Sequence, residues 1–306
     1  MLKKLFVCSV ITVSLYAFDY DLHPKNVVDN IYCFFGKLEN ISKQNAGNMV
    51  NTCFVKAKEG FVVIDSGPTY SYAAQAYAQM QKIAKLPVKY VINTHDHDDH
   101  WLGNSFYKRK GALLIGPRSY EQNVVAGMET RMQKTLGKVL FTKTSIVTLD
   151  TIVDEKLTFS LGDEVFEIKK LVNIGHTKDD LVVYLPLKHT LFVGDLVFNG
   201  RLTSLRDGSI LGSLEALEKI DAYHATYVIA GHGYNTDTNA TKQFKSYLLE
   251  IKKEVLQALD DDIGMENITK KVMMSEYKKM KLYDVLHARN VLDAYKELEM
   301  IEDDEE

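Results

Sequence analysis

The sequence predicts a mixed α/β fold, on three observations. Short runs rich in β-branched and aromatic residues recur up to His232, and several of them end at glycine, aspartate or histidine. Longer stretches with helical spacing lie between and after them. The strands come in groups with helices recurring around them, not as a continuous parallel βαβ series, so periodicity alone goes no further than mixed α and β. At 306 residues, with 46% hydrophobic and 25% charged residues, the chain suits one large globular domain with an appendage.

Residues 1–17 read as an export signal. Lys3 and Lys4 give a basic start, Leu5–Leu15 an apolar stretch too short for an ordinary membrane span, and Ala17 a small residue before which the stretch ends. Cleavage before Phe18 leaves a periplasmic or secreted protein with no stable membrane insertion; an uncleaved anchor is the alternative. Cleavage also removes Cys8 and leaves Cys33 and Cys53, both in strand-like stretches. A bridge between neighbouring strands and two buried thiols both remain open.

Strands are expected over Val27–Gly36, Met49–Ala57 and Gly60–Gly67, the last ending at Asp65. Pro68 opens a helix, Thr69–Leu86, rich in alanine and glutamine. The strand Val88–Asn93 follows, then a short helix, Leu102–Lys110, and a strand, Ala112–Ile115. Ser119–Leu136 is read as one amphipathic helix with Val124, Val125, Met128 and Met132 on one stripe, a core-facing surface rather than a lid. Strands Lys156–Ser160, Val165–Val172, Leu181–Leu185 and Thr190–Val193 come next, then an irregular stretch, Phe198–Leu211. Helix Ser213–Tyr223 and strand Thr226–Ala230 close the series. Beyond lie helices Ala240–Leu259, Met265–Lys281 and Tyr283–Glu299, with Leu286, Val291, Leu292, Tyr295 and Leu298 as an apolar face needing a partner in the sandwich or in a second subunit. Ile301–Glu306 reads as a frayed acidic tail. The division is a leader at 1–17, a catalytic domain at 18–238 and a helical extension at 239–306.

The chemistry concentrates where strand Val88–Asn93 ends. His95–His100 holds three histidines and three aspartates in six positions. Imidazole nitrogen and carboxylate oxygen are ligands that zinc takes at about 2.0–2.2 Å. His95 and His97 alternate along an extended chain and point to one side, whereas Asp99 and His100 need the backbone to bend. Four ligands so arranged suit two neighbouring ions, a pair for each. More ligands stand beside glycine at the ends of later apolar runs: His176 in NIGHTKDD, Asp195 in LFVGDLVFNG and His232 in YVIAGHGY.

His-x-His-x-Asp-His, then Gly-His-Thr, Gly-Asp and Gly-His, in this order, resemble the metallo-β-lactamase fold superfamily over about Ile31 to Gly233. The resemblance implies a four-layer αβ/βα sandwich, two packed sheets covered outside by helices. It implies that His95, His97 and His176 hold one zinc, that Asp99, His100 and His232 hold another, and that Asp195 bridges them. It also places Asp65 beneath the site as an orienting group, gives Asp99 a catalytic share in directing the nucleophile, and makes a metal-bridging hydroxide attack an acyl carbonyl.

Within the superfamily, Asp195 looks like glyoxalase II and related thioesterases and lactonases, while the ligand set departs from each class of true metallo-β-lactamase. The stretches GHTKDDLVVYLP, FVGDLVFNGR and LHARNVLDAY are most similar to exported metallo-hydrolases associated with bacterial sulfur-oxidation and quinoprotein systems. The expected activity is hydrolysis of a small ester, thioester, lactone or lactam by two zinc ions, with iron or manganese as other possible metals. His97 stands where diiron relatives carry glutamate, which favours hydrolysis. An iron-dependent oxidoreductase of the persulfide dioxygenase type, or a metal-bound partner of an exported redox enzyme, remains the alternative. A net charge of −4 without a long basic run excludes nucleic acid as an expected partner. Asn199, Arg201 and Arg206, in the irregular stretch after Asp195, are candidates for a substrate carboxylate, with solvated loop residues as the other reading. His23, His189, His224 and His287 lack ligand context and read as surface or core residues. Self-association through the C-terminal helices is a further expectation.

Overall fold

The computed structural model describes residues 18–123 and 129–305. The expected leader with Cys8, and the stripe positions Val124, Val125 and Met128, lie outside the described residues. One sheet holds β1 (Lys25–Val28), β2 (Ile31–Phe34), β3 (Thr52–Lys56), β4 (Phe61–Ile64), β5 (Val88–Ile92), β6 (Leu113–Pro117) and β7 (Thr151–Val153) in that spatial order. Pairing is antiparallel from β1 to β4 and parallel from β4 to β7. The second sheet runs, in spatial order, β12 (Tyr227–His232), β11 (Thr190–Phe198), β10 (Leu181–Leu185), β9 (Glu164–Lys170) and β8 (Lys156–Leu161).

Three apolar layers explain the stacking. Between the sheets, Ile31, Val55, Ile64 and Ile92 of the first meet Phe166, Ile168, Val183 and Phe192 of the second. Outside the first sheet, α1 (Tyr70–Ile83) and α3 (Asn104–Arg109) pack Tyr72, Ala76, Met80 and Phe106 onto Phe54, Phe61 and Val91. Outside the second, α6 (Ile210–Asp221), α7 (Lys242–Asp260) and the C-terminal helix α9 (Tyr283–Glu305) bury Leu217, Phe244, Ile251 and Val291 against Val182, Leu191 and Val193. Each such large side chain removed from water is worth about 1.5–3 kcal/mol. The result is the four-layer αβ/βα sandwich, with Val291, Tyr295 and Leu298 of α9 buried within the chain itself.

Several boundaries differ from the sequence reading. The expected strand Val27–Gly36 is a hairpin, because Asn30 takes a left-handed turn at φ 64 between β1 and β2. The expected helix Ser119–Leu136 is two helices, α4 (Arg118–Asn123) and α5 (Arg131–Leu140); Thr130 is extended and its side chain accepts from Gln133 N, an N-cap that starts α5 afresh. Met265–Lys281 stops as an α-helix after α8 (Met265–Lys271), and left-handed Met274 precedes a 3-10 turn at Ser275–Lys279. The expected frayed end is helical, since α9 continues to Glu305. Cys33 and Cys53 stand opposite each other on β2 and β3 and form a disulfide. No helix among the described residues is long and apolar enough to cross a membrane.

Candidate metal centre

The centre lies at one end of both sheets, where β4, β5, β11 and β12 stop. β5 delivers Asn93 and Thr94, and the bend the ligand motif needs is supplied by one helical turn, α2 (Asp98–Trp101), which carries Asp99 and His100. β11 does not end before Asp195, as the apolar run implied. It continues to Phe198 through an irregularity beyond Gly194, which turns the Asp195 carboxylate toward the cluster. Gly231 on β12 is required there: a Cβ in its place would lie 2.0 Å from Asp195 Oδ1.

All seven expected ligands meet. The donor atoms of His95, His97, His176 and Asp195 lie within 4.8 Å of one another, as do those of Asp99, His100 and His232. Asp195 touches both groups: its Oδ2 is 3.7 Å from His95 Nε2, 3.4 Å from His176 Nε2 and 3.4 Å from His232 Nε2, and its Oδ1 is 3.2 Å from His100 Nε2. His232 Nε2 also lies 3.5 Å from Asp99 Oδ2.

Four of the rings are held from behind. His100 Nδ1 lies 2.8 Å from Asp65 Oδ2, and His232 Nδ1 lies 2.8 Å from the carbonyl of Met49. Thr94 Oγ1 donates to Asp65 Oδ2, so at 3.1 Å from His95 Nδ1 it accepts from that ring. His97 Nε2 faces Asp207 Oδ2 at 3.2 Å. The inner nitrogens are thereby left with lone pairs toward the cluster, the tautomer a metal ligand needs. Buried His95 Nε2, His100 Nε2 and Asp195 Oδ1 have no hydrogen-bond partner. Orphaned donors of this kind, in nitrogen and carboxylate oxygen, fit divalent cations.

The electrostatics split the rings: burial favours neutral His95 and His176, whereas at His97 and His100 the surrounding carboxylates outweigh burial and favour the protonated forms, whose inner protons a bound cation would displace. Burial, and then the His100 charge, push His95 well below the usual imidazole range; burial and His97 bring His176 down to about 3. Burial opposes a charge on His100 too, but Asp195, Asp65 and Asp99 outweigh it and hold that ring well above its usual value. Burial likewise opposes ionisation of Asp195, yet His232, His100 and His95 keep its carboxyl well below the ordinary carboxylate range.

A cavity of about 500 Å³ opens over the cluster, with His97, Asp99, His176, Asp195 and His232 in its floor. Arg201 lines it and is buried, its Nε donating to Leu202 O at 3.1 Å and its Nη1 lying 3.4 Å from Glu39 O. Arg206 sits at the rim, exposed and paired with Asp207. Asn199 is a correction: its side chain exchanges hydrogen bonds with the backbone of Asn235, tying two loops together, and does not line the cavity. Of the histidines without ligand context, His287 is buried between Tyr247 and Val272 O, while His23 is exposed beside Asp21.

Matched as a family, residues 46–232 fit the metallo-beta-lactamase superfamily. The chain belongs to it. Among curated members, a hydroxyacylglutathione hydrolase of Brucella anthropi is 30% identical over 153 residues, 49% of each chain. One of Brucella ovis is 26% identical over 195 residues, 59% of this chain and 66% of that one. This chain thus spans about half to two thirds of the length of these relatives. Among solved structures, a metallo-beta-lactamase from Pontibacter korlensis superposes with a TM-score of 0.61 at 23% identity, over 74% of this chain and 99% of that one. The DIM-1 metallo-beta-lactamase exposed to ceftazidime gives 0.57 at 19% identity, over 74% and 96%. These similarities establish the superfamily's αβ/βα sandwich here, and members of the superfamily are hydrolases.

Two residues of this centre escaped the sequence reading. Arg131, at the start of α5, reaches Asp99, and Asp207 reaches His97. The only local signals were Thr130 as a cap three residues before Gln133, and an acid beside Gly208 and Ser209 in a loop already marked as irregular.

Proposed function

We propose that the chain is an exported binuclear zinc hydrolase of small acyl substrates, with a thioester as the favoured bond. The observation that carries this reading is Asp195, a single carboxylate within 3.2–3.7 Å of ring nitrogens from both ligand groups. One ion would be held by His95, His97 and His176, the other by Asp99, His100 and His232, with Asp195 shared. Ions bound there supply an activated water at neutral pH and polarise the acyl carbonyl. The chain's own residues do the rest. Asp65 and Thr94 fix the His100 and His95 rings, and Asp99 stays ionised beside the cluster to orient the attacking water. The glutathione thioester named for the Brucella relatives supports the choice of a thioester, and His97 favours hydrolysis over iron chemistry.

Arg201 deepens the reading. Its guanidinium is buried at the cavity wall and forms no ion pair with a carboxylate among the described residues. Burial lowers its pKa in spite of the Asp195 and Asp99 charges nearby, and a substrate carboxylate placed in the cavity would add a direct ion pair. Export is supported by the basic and apolar pattern of residues 1–17 and by the Cys33–Cys53 bridge, which suits an oxidising compartment.

The test is metal analysis of protein from its own export compartment, followed by assay with a thioester, a lactone and a cephalosporin. Two zinc ions per chain with thioester turnover, and loss of both metal sharing and most turnover in Asp195→Ala, are expected. His189→Ala, on an exposed left-handed turn after β10, leaves both intact. One iron per chain with no hydrolysis overturns the proposal.

A further inference from the structure

We infer that Asp207 is a positioning residue for His97: its carboxylate selects which ring nitrogen of His97 faces the cluster. The inference rests on the cluster being a metal centre. His97 is the most open of the five ligand histidines, its side chain 26% exposed where the others are 0–6%. Three of the others are held by groups beneath the site: the Thr94 hydroxyl, the Asp65 carboxylate and the Met49 carbonyl. His97 has no such support from below. Its outer nitrogen, Nε2, meets Asp207 Oδ2 at 3.2 Å across the rim, which turns Nδ1 inward to 3.0 Å from His176 Nε2. A rim imidazole lacking this acceptor would be free to rotate and to exchange tautomers, and each ligand-competent encounter would then carry that cost.

The loop that carries Asp207 is built to hold it there. Arg206 Nε donates to Asp207 Oδ1 at 2.9 Å, which fixes the carboxylate from the solvent side. The next residue is Gly208, and a Cβ at that position would lie 2.2 Å from the carbonyl of Gly175 and 2.7 Å from that of His176. Only glycine lets the loop rest directly on the turn that carries His176. Ser209 N then donates to Gly175 O at 2.9 Å. One short segment, Asp207–Ser209, is therefore seated on the His176 turn while it orients His97. Two ligands of the same ligand group are registered to each other through it.

The experiment is a zinc titration of metal-free parent, Asp207→Ala and Asp207→Asn against a competing chromophoric chelator, with thermal melting of the same metal-free samples. In Asp207→Ala, one bound equivalent is expected to weaken roughly 10–100-fold while the other keeps its affinity. Asp207→Asn falls between, because its amide oxygen still accepts from His97 Nε2–H. Repeating the comparison in His232→Ala, which lacks a ligand of the other group, identifies the weakened equivalent as the one that His97 holds. Identical affinities in parent and Asp207→Ala overturn the inference. Equal weakening of both equivalents together with a lower melting temperature also overturns it, since that is the mark of a general loop support. A parent that binds no divalent ion overturns the proposed function and this inference together, whereas two ions in the parent with no effect of Asp207→Ala overturns this inference alone.

Discussion

Arg131 Nη2 lies 2.8 Å from Asp99 Oδ1, so the first residue of α5 is tied by charge to the turn that carries the ligand motif. The same guanidinium reaches Asp98 Oδ1 at 3.0 Å, and Asp98 Oδ2 accepts from the backbone of Met132 at 2.6 Å. Asp98 thus anchors the N-terminus of α5 and delivers Arg131 to its neighbour Asp99. Burial alone would favour a neutral Asp99 carboxyl, but Arg131, then His100 and His232, outweigh it and hold that carboxyl well below its usual range.

Removing the guanidinium should therefore move a titration upward in pH. In Arg131→Gln, burial and repulsion from Asp195 act on Asp99 with less compensation, and its carboxyl titrates at higher pH. Under the proposed function Asp99 acts in its ionised form, so the acid limb of the pH profile for kcat/KM shifts to higher pH. A profile with an unshifted acid limb would show that Arg131 only anchors the helix.

Arg201 predicts a split between binding and chemistry. Arg201→Gln is expected to raise KM for a carboxylate-bearing thioester by about tenfold, the worth of one charge-assisted hydrogen bond, with a much smaller change in kcat. A neutral ester of similar size should be turned over by parent and variant alike. If both substrates lose the same factor, Arg201 supports His232, which its Nη1 approaches to 3.4 Å, and does not read the substrate.

The C-terminal helix is part of the centre's scaffold. Glu297 accepts from Ser209 Oγ, Ile210 N and Leu211 N, and Asn290 accepts from Leu205 N and donates to Thr203 O. Together they clamp the loop that bears Arg201 and Asp207 and cap the start of α6. Glu297→Ala leaves those donors without their acceptor, at a cost of about 1–3 kcal/mol. Denaturant unfolding reads that loss, and amide hydrogen exchange should quicken at Ser209–Leu211 ahead of the β-sheets.

The part of the centre that sequence makes legible is the part encoded locally. His95–His100 carry their ligand chemistry within one turn, and His176, Asp195 and His232 each stand beside glycine at the end of a strand-forming run. The sheets and most helices follow from the same short-range patterns. Asp207 and Arg131 act across 110 and 32 residues of chain, and the cap at Thr130 and the small residues after Asp207 mark a local turn without specifying the distant partner. In the 119–136 stretch the helical spacing continues past the cap that Thr130 offers to Gln133, because an apolar stripe looks alike in one helix or two. Asn199 fails for the opposite reason. Its place after Asp195 puts it near the cavity in sequence, while the demand of two adjoining loops for hydrogen bonds turns its amide away.

A buried acid near the His176 turn gives the stability a pH dependence of its own. Asp180 accepts from Thr177 N at 2.8 Å and from Thr177 Oγ1 at 2.9 Å, and burial pushes its carboxyl up to about 7 against those bonds. In the unfolded chain the same group titrates near about 3.9. A raised folded value means that the native state binds the proton more tightly, so the stabilisation is complete below about pH 4 and is lost as pH rises through about 7. The full effect is at most about 4 kcal/mol. Asp180→Asn keeps an acceptor for Thr177 N and removes the titration. With metal stripped from both proteins, the urea midpoint of the variant should gain on the parent steadily from about pH 4 to about pH 7 and then hold level. Parallel curves for the two proteins would mean that Asp180 is ionised in the native state throughout this range.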